Sequence, residues 1–361
     1  MSTDAITARQ EDRHHYQHHY RQHQGRRQQW VAIGAMLLLG IFLLDMTLGP
    51  GKLGLVQVVD TLMSPDGADM KSRFIIWDIR LPVALMAVLV GAALGGAGAL
   101  MQTILNNPLA EPFTLGISHA AAFGAALAIA FGAPLLPWEW AQGYMITLNA
   151  FVFACLSAGV IFLVSRMRGS TQETMILTGI AILFVFSALN AMLQFAASAE
   201  TLQQIVFWAM GSLGRATWPK VGVTAALLLL ACVLLSRSAW RLTALRMGDE
   251  AAEAMGVNVN RIRLLVLLLS SLLAAVAVAF VGIIGFVGLV GPHMARMLLG
   301  EDQRFFLPGS MLFGAILLTI AEILSKSIIP GVLLPIGITT SLIGVPFFVF
   351  LLVVVRRRSG L

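Results

Sequence analysis

Apolar residues in this chain collect in long unbroken runs, separated by short polar or Gly/Pro-rich interruptions. A helix of about 20 apolar residues spans a bilayer core. Ten runs are candidates for this, near 30–49, 81–105, 113–132, 143–165, 174–197, 221–236, 262–284, 286–299, 306–327 and 333–355. The sixth and eighth are short. The pattern predicts an all-α polytopic membrane protein with about ten transmembrane helices. Composition agrees: 58% of the 361 residues are hydrophobic and 12% charged, whereas soluble domains carry roughly 25% charged residues. The mean hydropathy is +0.84. The first apolar run begins only at Trp30, after a polar stretch, so no cleavable signal peptide is expected and that run is retained as a span.

The interruptions give the organisation. Residues 1–29, with "EDRHHYQHHYRQHQGRRQQW", are rich in Gln, His and Arg and read as a disordered cytoplasmic tail; "HHYQHH" is a weak metal motif without fixed geometry. Residues 30–355 form the transmembrane domain and 356–361 a cytoplasmic C-terminus. With ten spans and an inside N-terminus, 17 of the 24 Lys and Arg lie on the inner side, as the positive-inside rule requires. This distribution points the net charge of +6 toward the membrane surface and excludes nucleic acid as a partner. The two cysteines, Cys155 and Cys232, lie inside apolar runs and read as small buried hydrophobes.

Within the second run, Gly91 and Gly95 stand four apart, the spacing used for close packing of membrane helices. "NNPLAEPFTLG" then breaks the chain; Asn106, Asn107 and Glu111 are too polar for lipid and face water or a wet cavity. An external amphipathic helix is expected around 201–211, with Phe207, Trp208 and Trp218 at the interface. Four glycines and a proline between Gly282 and Pro292 mark a reversal and a broken helix.

Residues 246–257, "RMGDEAAEAMGV", cannot cross a membrane. Asp249 and Glu250 suit the first turn of a helix, the alanines its body and Gly256 its end. The result is a short helix with a small apolar face of Met247, Ala251, Ala254 and Met255. It reads either as a solvated connector or as a knob for a partner. The chain has no phosphate-binding G-x-x-x-x-G-K-[ST] loop, metal-spaced Cys/His set or nucleophile elbow. No catalytic or metal residue is assigned, and any energy for transport must come from another subunit or an ion gradient. A gradient-driven carrier would show mid-helix carboxylates and inverted repeats, and neither is evident.

Several stretches resemble one family: "DIRLPVALMAVLVGAALGGAGALMQTILNNPLAEPFTLGIS", "FWAMGSLGRATW", "LRMGDEAAEAMGVNVNRIR", "GIIGFVGLVGPHMARMLLGEDQRFFLPG" and "LPIGITTSLIGVPFFVFLL". In order, from about residue 74 to 355, they look like the FecCD-type permeases of ABC importers. The resemblance implies a type II importer permease in the bacterial inner membrane, with both termini cytoplasmic. It implies a homodimer with two cytoplasmic ATPase subunits that hold ATP and magnesium, an extracytoplasmic binding protein, and no cofactor in this chain. Ferric siderophore is the cargo the family most often suggests, with haem, cobalamin and oxyanions such as molybdate behind it.

By the same resemblance, residues about 242–260 would hold coupling helices, and Arg246, Met247, Gly248, Asp249, Glu250, Ala251, Ala254, Met255, Gly256 and Val257 would engage the ATPase. Asn107 and Leu109 match positions that narrow the pathway at its cytoplasmic end. Arg80 and Lys326 match positions that grip acidic residues of the binding protein, helped by Lys71 and Arg73. The chain departs from the family pattern at Val83, where a second arginine is usual, and at Glu322 and Lys326, which stand for an Asp and an Arg. His119 is expected to bond a helix carbonyl and His293 to be structural at a bend.

Overall fold

The computed structural model describes residues 3–49, 51, 53–132, 143–329 and 331–358, and the side chains among them outside 3–23 and 351–358. The side chains of "HHYQHH" and of Arg356–Arg358 therefore lie outside those described. Every expected span coincides with a helix. The first is α1 (Thr3–Thr47). Next, α2 (Leu55–Met63) and α3 (Met70–Arg73) lead into a π-helical turn, Phe74–Arg80, continuous with α4 (Leu81–Ile104). A 3-10 turn at Pro112–Leu115 precedes α5 (Ile117–Phe131). The chain continues through α6 (Met145–Arg168), α7 (Gln172–Ala196), the short α8 (Ala199–Ala209) and α9 (Trp218–Ser236). Two short helices, α10 (Ala239–Leu245) and α11 (Asp249–Ala254), interrupt the bundle before α12 (Val259–Val281). The last three are α13 (Val287–Leu299), α14 (Gln303–Ser327) and α15 (Ile336–Arg358).

Among the described residues seven helical segments are long and apolar enough to cross a membrane. The other three expected spans fall on shorter apolar helices or parts of helices. α5 and α13, at 15 and 13 residues, reach only about 20 Å at 1.5 Å per residue, against a core of about 30 Å. The segment expected at 81–105 is longer than anticipated, running 35 residues from Met70 to Ile104 through the π-helical turn. Residues 3–29, expected to be disordered, are drawn into α1. Gln, Arg and Ala are adequate helix formers, and extending an existing helix avoids the cost of nucleation.

Side-chain caps mark the turns. Thr171, Ser198, Asn258 and Asp302 accept hydrogen bonds from backbone N–H groups at the starts of α7, α8, α12 and α14, satisfying donors that lipid could not.

The middle of the bundle is α4, packed on α14, α12, α13 and α9. Its apolar window is 78% buried, against 17% for α7. Close approach depends on missing side chains: Gly91 and Gly95 lie against the backbone of Gly314 and Ser310 on α14, and Gly98 against Gly288 on α13. Gly91 and Gly95 are packing residues, as the spacing predicted. α4 and α14 run in opposite directions, so Arg80 and Lys326 lie at one end of the bundle and Gln102 and Gln303 at the other. The Arg27–Asp302 contact of 3.7 Å places the start of the apolar part of α1 at the second end, together with α10 and α11.

Candidate functional site

The α10–α11 segment is rooted in the bundle and exposed beyond it. Gly248 and Gly256, with φ of 104° and 81°, bracket α11 in conformations that suit only glycine. Arg263 of α12, 2% exposed, donates to Asp249 Oδ1 at 2.7 Å and to the Ser170 carbonyl at 2.9 Å. Ala252 and Val257 are buried. Outward stand Met247, 70% exposed, with Met255, Glu250, Glu253, Ala254 and Gly256. Of the ten residues expected to engage a partner, Met247, Glu250, Ala254, Met255 and Gly256 form the free surface. Gly248 and Ala251 are half-buried, Asp249 ties inward to Arg263, and Val257 corrects to a core anchor because its side chain is enclosed.

Beside this surface lies the turn 105–111. Asn107 Oδ1 accepts from the Leu109 N–H at 2.9 Å, and the Asn107 carbonyl from the Ala110 N–H at 3.2 Å. Asn107 thus shapes the turn, while Leu109 projects from it, 51% exposed. An exposed leucine held by a rigid turn is available to a second surface.

A network unforeseen in the sequence joins these parts. Arg246 donates to Asn106 Oδ1 at 3.1 Å and to the Glu301 carboxylate. Arg296 Nε lies 3.1 Å from Glu301 Oε1, and its Nη2 donates to Gln102 Oε1 at 2.8 Å. Gln303 Nε2 donates to Thr103 Oγ1 at 3.1 Å. The available signal was Gln102, a polar side chain inside an apolar run, which must find a partner there.

Further along, Glu111 borders a cavity of about 750 Å³ lined mainly by apolar side chains such as Phe113, Met210, Phe286 and Leu342. The bare face of Gly288 leaves room for its carboxylate. Burial pushes the Glu111 carboxyl up from 4.5 to about 7. The native state then holds this proton more tightly than the unfolded chain between those values. The contribution of this carboxyl to stability is full below about pH 4.5, falls as pH rises through the window, and is gone above about 7. Thermal unfolding in detergent from pH 5 to 8 should show this decline, and Glu111→Gln should flatten it; an equal decline in the variant would contradict the assignment. His119 does not bond a helix carbonyl: its buried Nδ1 has no partner and its ring packs on Phe113, centroids 5.1 Å apart. His293 lies on α13 near the Phe347 ring, 6.4 Å between centroids.

At the opposite end the expected docking cations are committed elsewhere. Arg80, 5% exposed, donates to the carbonyls of Met46, Gly49 and Gly51 at 2.7, 3.3 and 2.6 Å. Lys326, its side chain 9% exposed, is held by Asp45 at 2.9 Å and Glu322 at 3.3 Å. Both thus have partners within the chain, on α1, the turn after it and α14, and both also border the cavity at this end. Lys71 and Arg73 remain exposed, and Lys71 borders a cavity of about 810 Å³ with Asp78 and Arg215. Trp208 is buried rather than interfacial, with Arg215 over its ring at 5.6 Å, while Phe207 and Trp218 are exposed as expected.

The FecCD transport family model matches residues 37–354. The chain is 38% identical to the hemin transport system permease protein of Yersinia pestis, covering 93% of this chain and 99% of that protein. It is 34% identical to the molybdate import system permease protein of Haemophilus influenzae, covering 92% and 97%. A solved inward-facing structure described as a metal-chelate type ABC transporter superposes with a TM-score of 0.79 at 33% identity, over 90% of this chain and 98% of that one. On the match across nearly all of its spans, the chain belongs to the FecCD transport family.

Proposed function

We propose that the chain is the permease subunit of an ATP-driven importer that moves a ferric siderophore or similar metal chelate across the cytoplasmic membrane. Two copies form the pathway, a binding protein delivers cargo from outside, and two ATPase subunits holding ATP and magnesium dock on α10–α11. The observation that carries this reading is the α10–α11 surface. It exposes Met247 and Met255 among acidic residues, yet is pinned from beneath by a buried arginine. A solvated connector has no need of such fixing, whereas a surface that must transmit force does. The family membership and the metal-chelate transporter structure support the cargo class.

The test is uptake into proteoliposomes holding the chain with its co-purified ATPase, supplied with binding proteins loaded with ferric siderophore, haem, cobalamin or molybdate. ATP-dependent accumulation of a ferric siderophore is expected. Selective uptake of another cargo would overturn the substrate, and uptake driven by an ion gradient without ATP would overturn the class.

In this reading Leu109 closes the inner mouth of the pathway. Burying one leucine side chain contributes about 1.5–3 kcal/mol, so Leu109→Ala should raise basal leak of cargo by roughly tenfold. Unchanged leak from cargo-loaded liposomes would remove Leu109 from the gate.

A further inference from the structure

Three turns from distant parts of the chain meet at one side chain, Arg246. One guanidinium nitrogen donates to Asn106 in the turn after α4, and another to Glu301 in the turn before α14. Each turn contains a backbone pivot in the left-handed region. Asn106 itself has φ 44°, Glu301 follows Gly300 with φ 78°, and Arg246 precedes Gly248 with φ 104°. Helices move as rigid bodies about such short turns. From Glu301 the contacts continue to Arg296 on α13 and then to Gln102, which is buried on α4.

We propose that Arg246 is the positioning residue that carries movement of the α10–α11 surface into the gate turn 105–111, with Glu301, Arg296 and Gln102 extending the path to α13 and α4. The proposal rests on α10–α11 being the ATPase-docking surface. A planar guanidinium fixes the angle between two acceptors, which the single ammonium of lysine does not. Arg246 is largely covered, but Glu301 is half exposed, so water can take up the carboxylate when the contact opens and the pair adds less than a fully buried one would. The junction can therefore break and re-form during a cycle without threatening the fold.

The test compares Asn106→Gly, which keeps the left-handed backbone but removes the acceptor, with Glu301→Gln and Arg246→Gln in the permease–ATPase complex in proteoliposomes, measuring cargo moved per ATP hydrolysed, ATPase-subunit affinity and Tm. For Asn106→Gly and Glu301→Gln the transport ratio should fall on the order of fivefold, within the range of coupling between contacting groups, with affinity and Tm unchanged. Arg246→Gln combined with Glu301→Gln should lose no more than Arg246→Gln alone, because both break one path. An unchanged ratio in both single variants would overturn the relay, as would fully additive losses, or losses matched by lower Tm or subunit affinity. No ATP-driven uptake by the unaltered complex would overturn the docking reading, and the relay with it.

Discussion

Gly98→Val should leave no folded protein to purify. A Cβ at position 98 would press on the backbone of Gly288, whose carbonyl oxygen, carbonyl carbon and Cα are its nearest neighbours. Backbone atoms cannot rotate aside as a side chain can, so α4 and α13 would have to separate. α14 resists that separation, because it touches α4 through the equally bare Gly91 and Gly95. Overpacking a well-fitted core costs about 1–3 kcal/mol when side chains can adjust, and more when the backbone must move. Against a native margin of about 5–15 kcal/mol, a displaced helix pair is a large fraction. Gly96→Ala is the control: its Cβ would meet only the flexible Met311 side chain, and a shift there should cost under about 1.5 kcal/mol. Yield of monodisperse protein and Tm would separate the two. A Gly98→Val variant with unchanged Tm would contradict the α4–α13 contact.

Arg263→Met should release α11. The substitution roughly preserves volume but removes the donors to Ser170 and Asp249. The stripped Ser170 carbonyl loses the partner that satisfied it inside the protein, costing about 1–3 kcal/mol. Asp249 is about half exposed, so its lost pairing contributes less than a fully buried ion pair would. Amide exchange across 246–257 should accelerate and ATPase binding should weaken, with the transmembrane helices still folded. Asp249→Asn, which keeps an oxygen acceptor, should show a milder form of the same change. Unchanged exchange in Arg263→Met would mean that α11 is held by Ala252 and Val257 alone.

The helices were legible because lipid imposes a simple rule: an apolar run of sufficient length must be helical. The short capped helix at 249–254 was legible for the opposite reason, since its acids, alanines and flanking glycines agree on one local structure. Arg80 and Lys326 show what such reading leaves out. Their charge and place at the end of a span are visible in the sequence, but Lys326 finds Asp45 from 281 positions away and Arg80 finds three carbonyls of a turn some 30 residues earlier. The Arg246 junction was hidden in the same way: Asn106, Arg246 and Glu301 are adjacent only once α4, α10 and α14 have packed. Val257 entered the docking segment through the family resemblance rather than through the helix's own apolar face; it lies past the end of α11, where packing turns it inward.

The buried Asp45–Lys326 pair also bears on how the chain is made. Asp45 leaves the ribosome 281 residues ahead of its partner, so throughout that interval the first span carries a carboxyl with no amine to meet it. Until α14 arrives, the charge of Arg80 is what acts on this carboxyl, and the first helix lacks its ionic lock to α14. The helix that carries Asp45 is thus anchored to α14 by an ion pair that forms long after the helix itself is made.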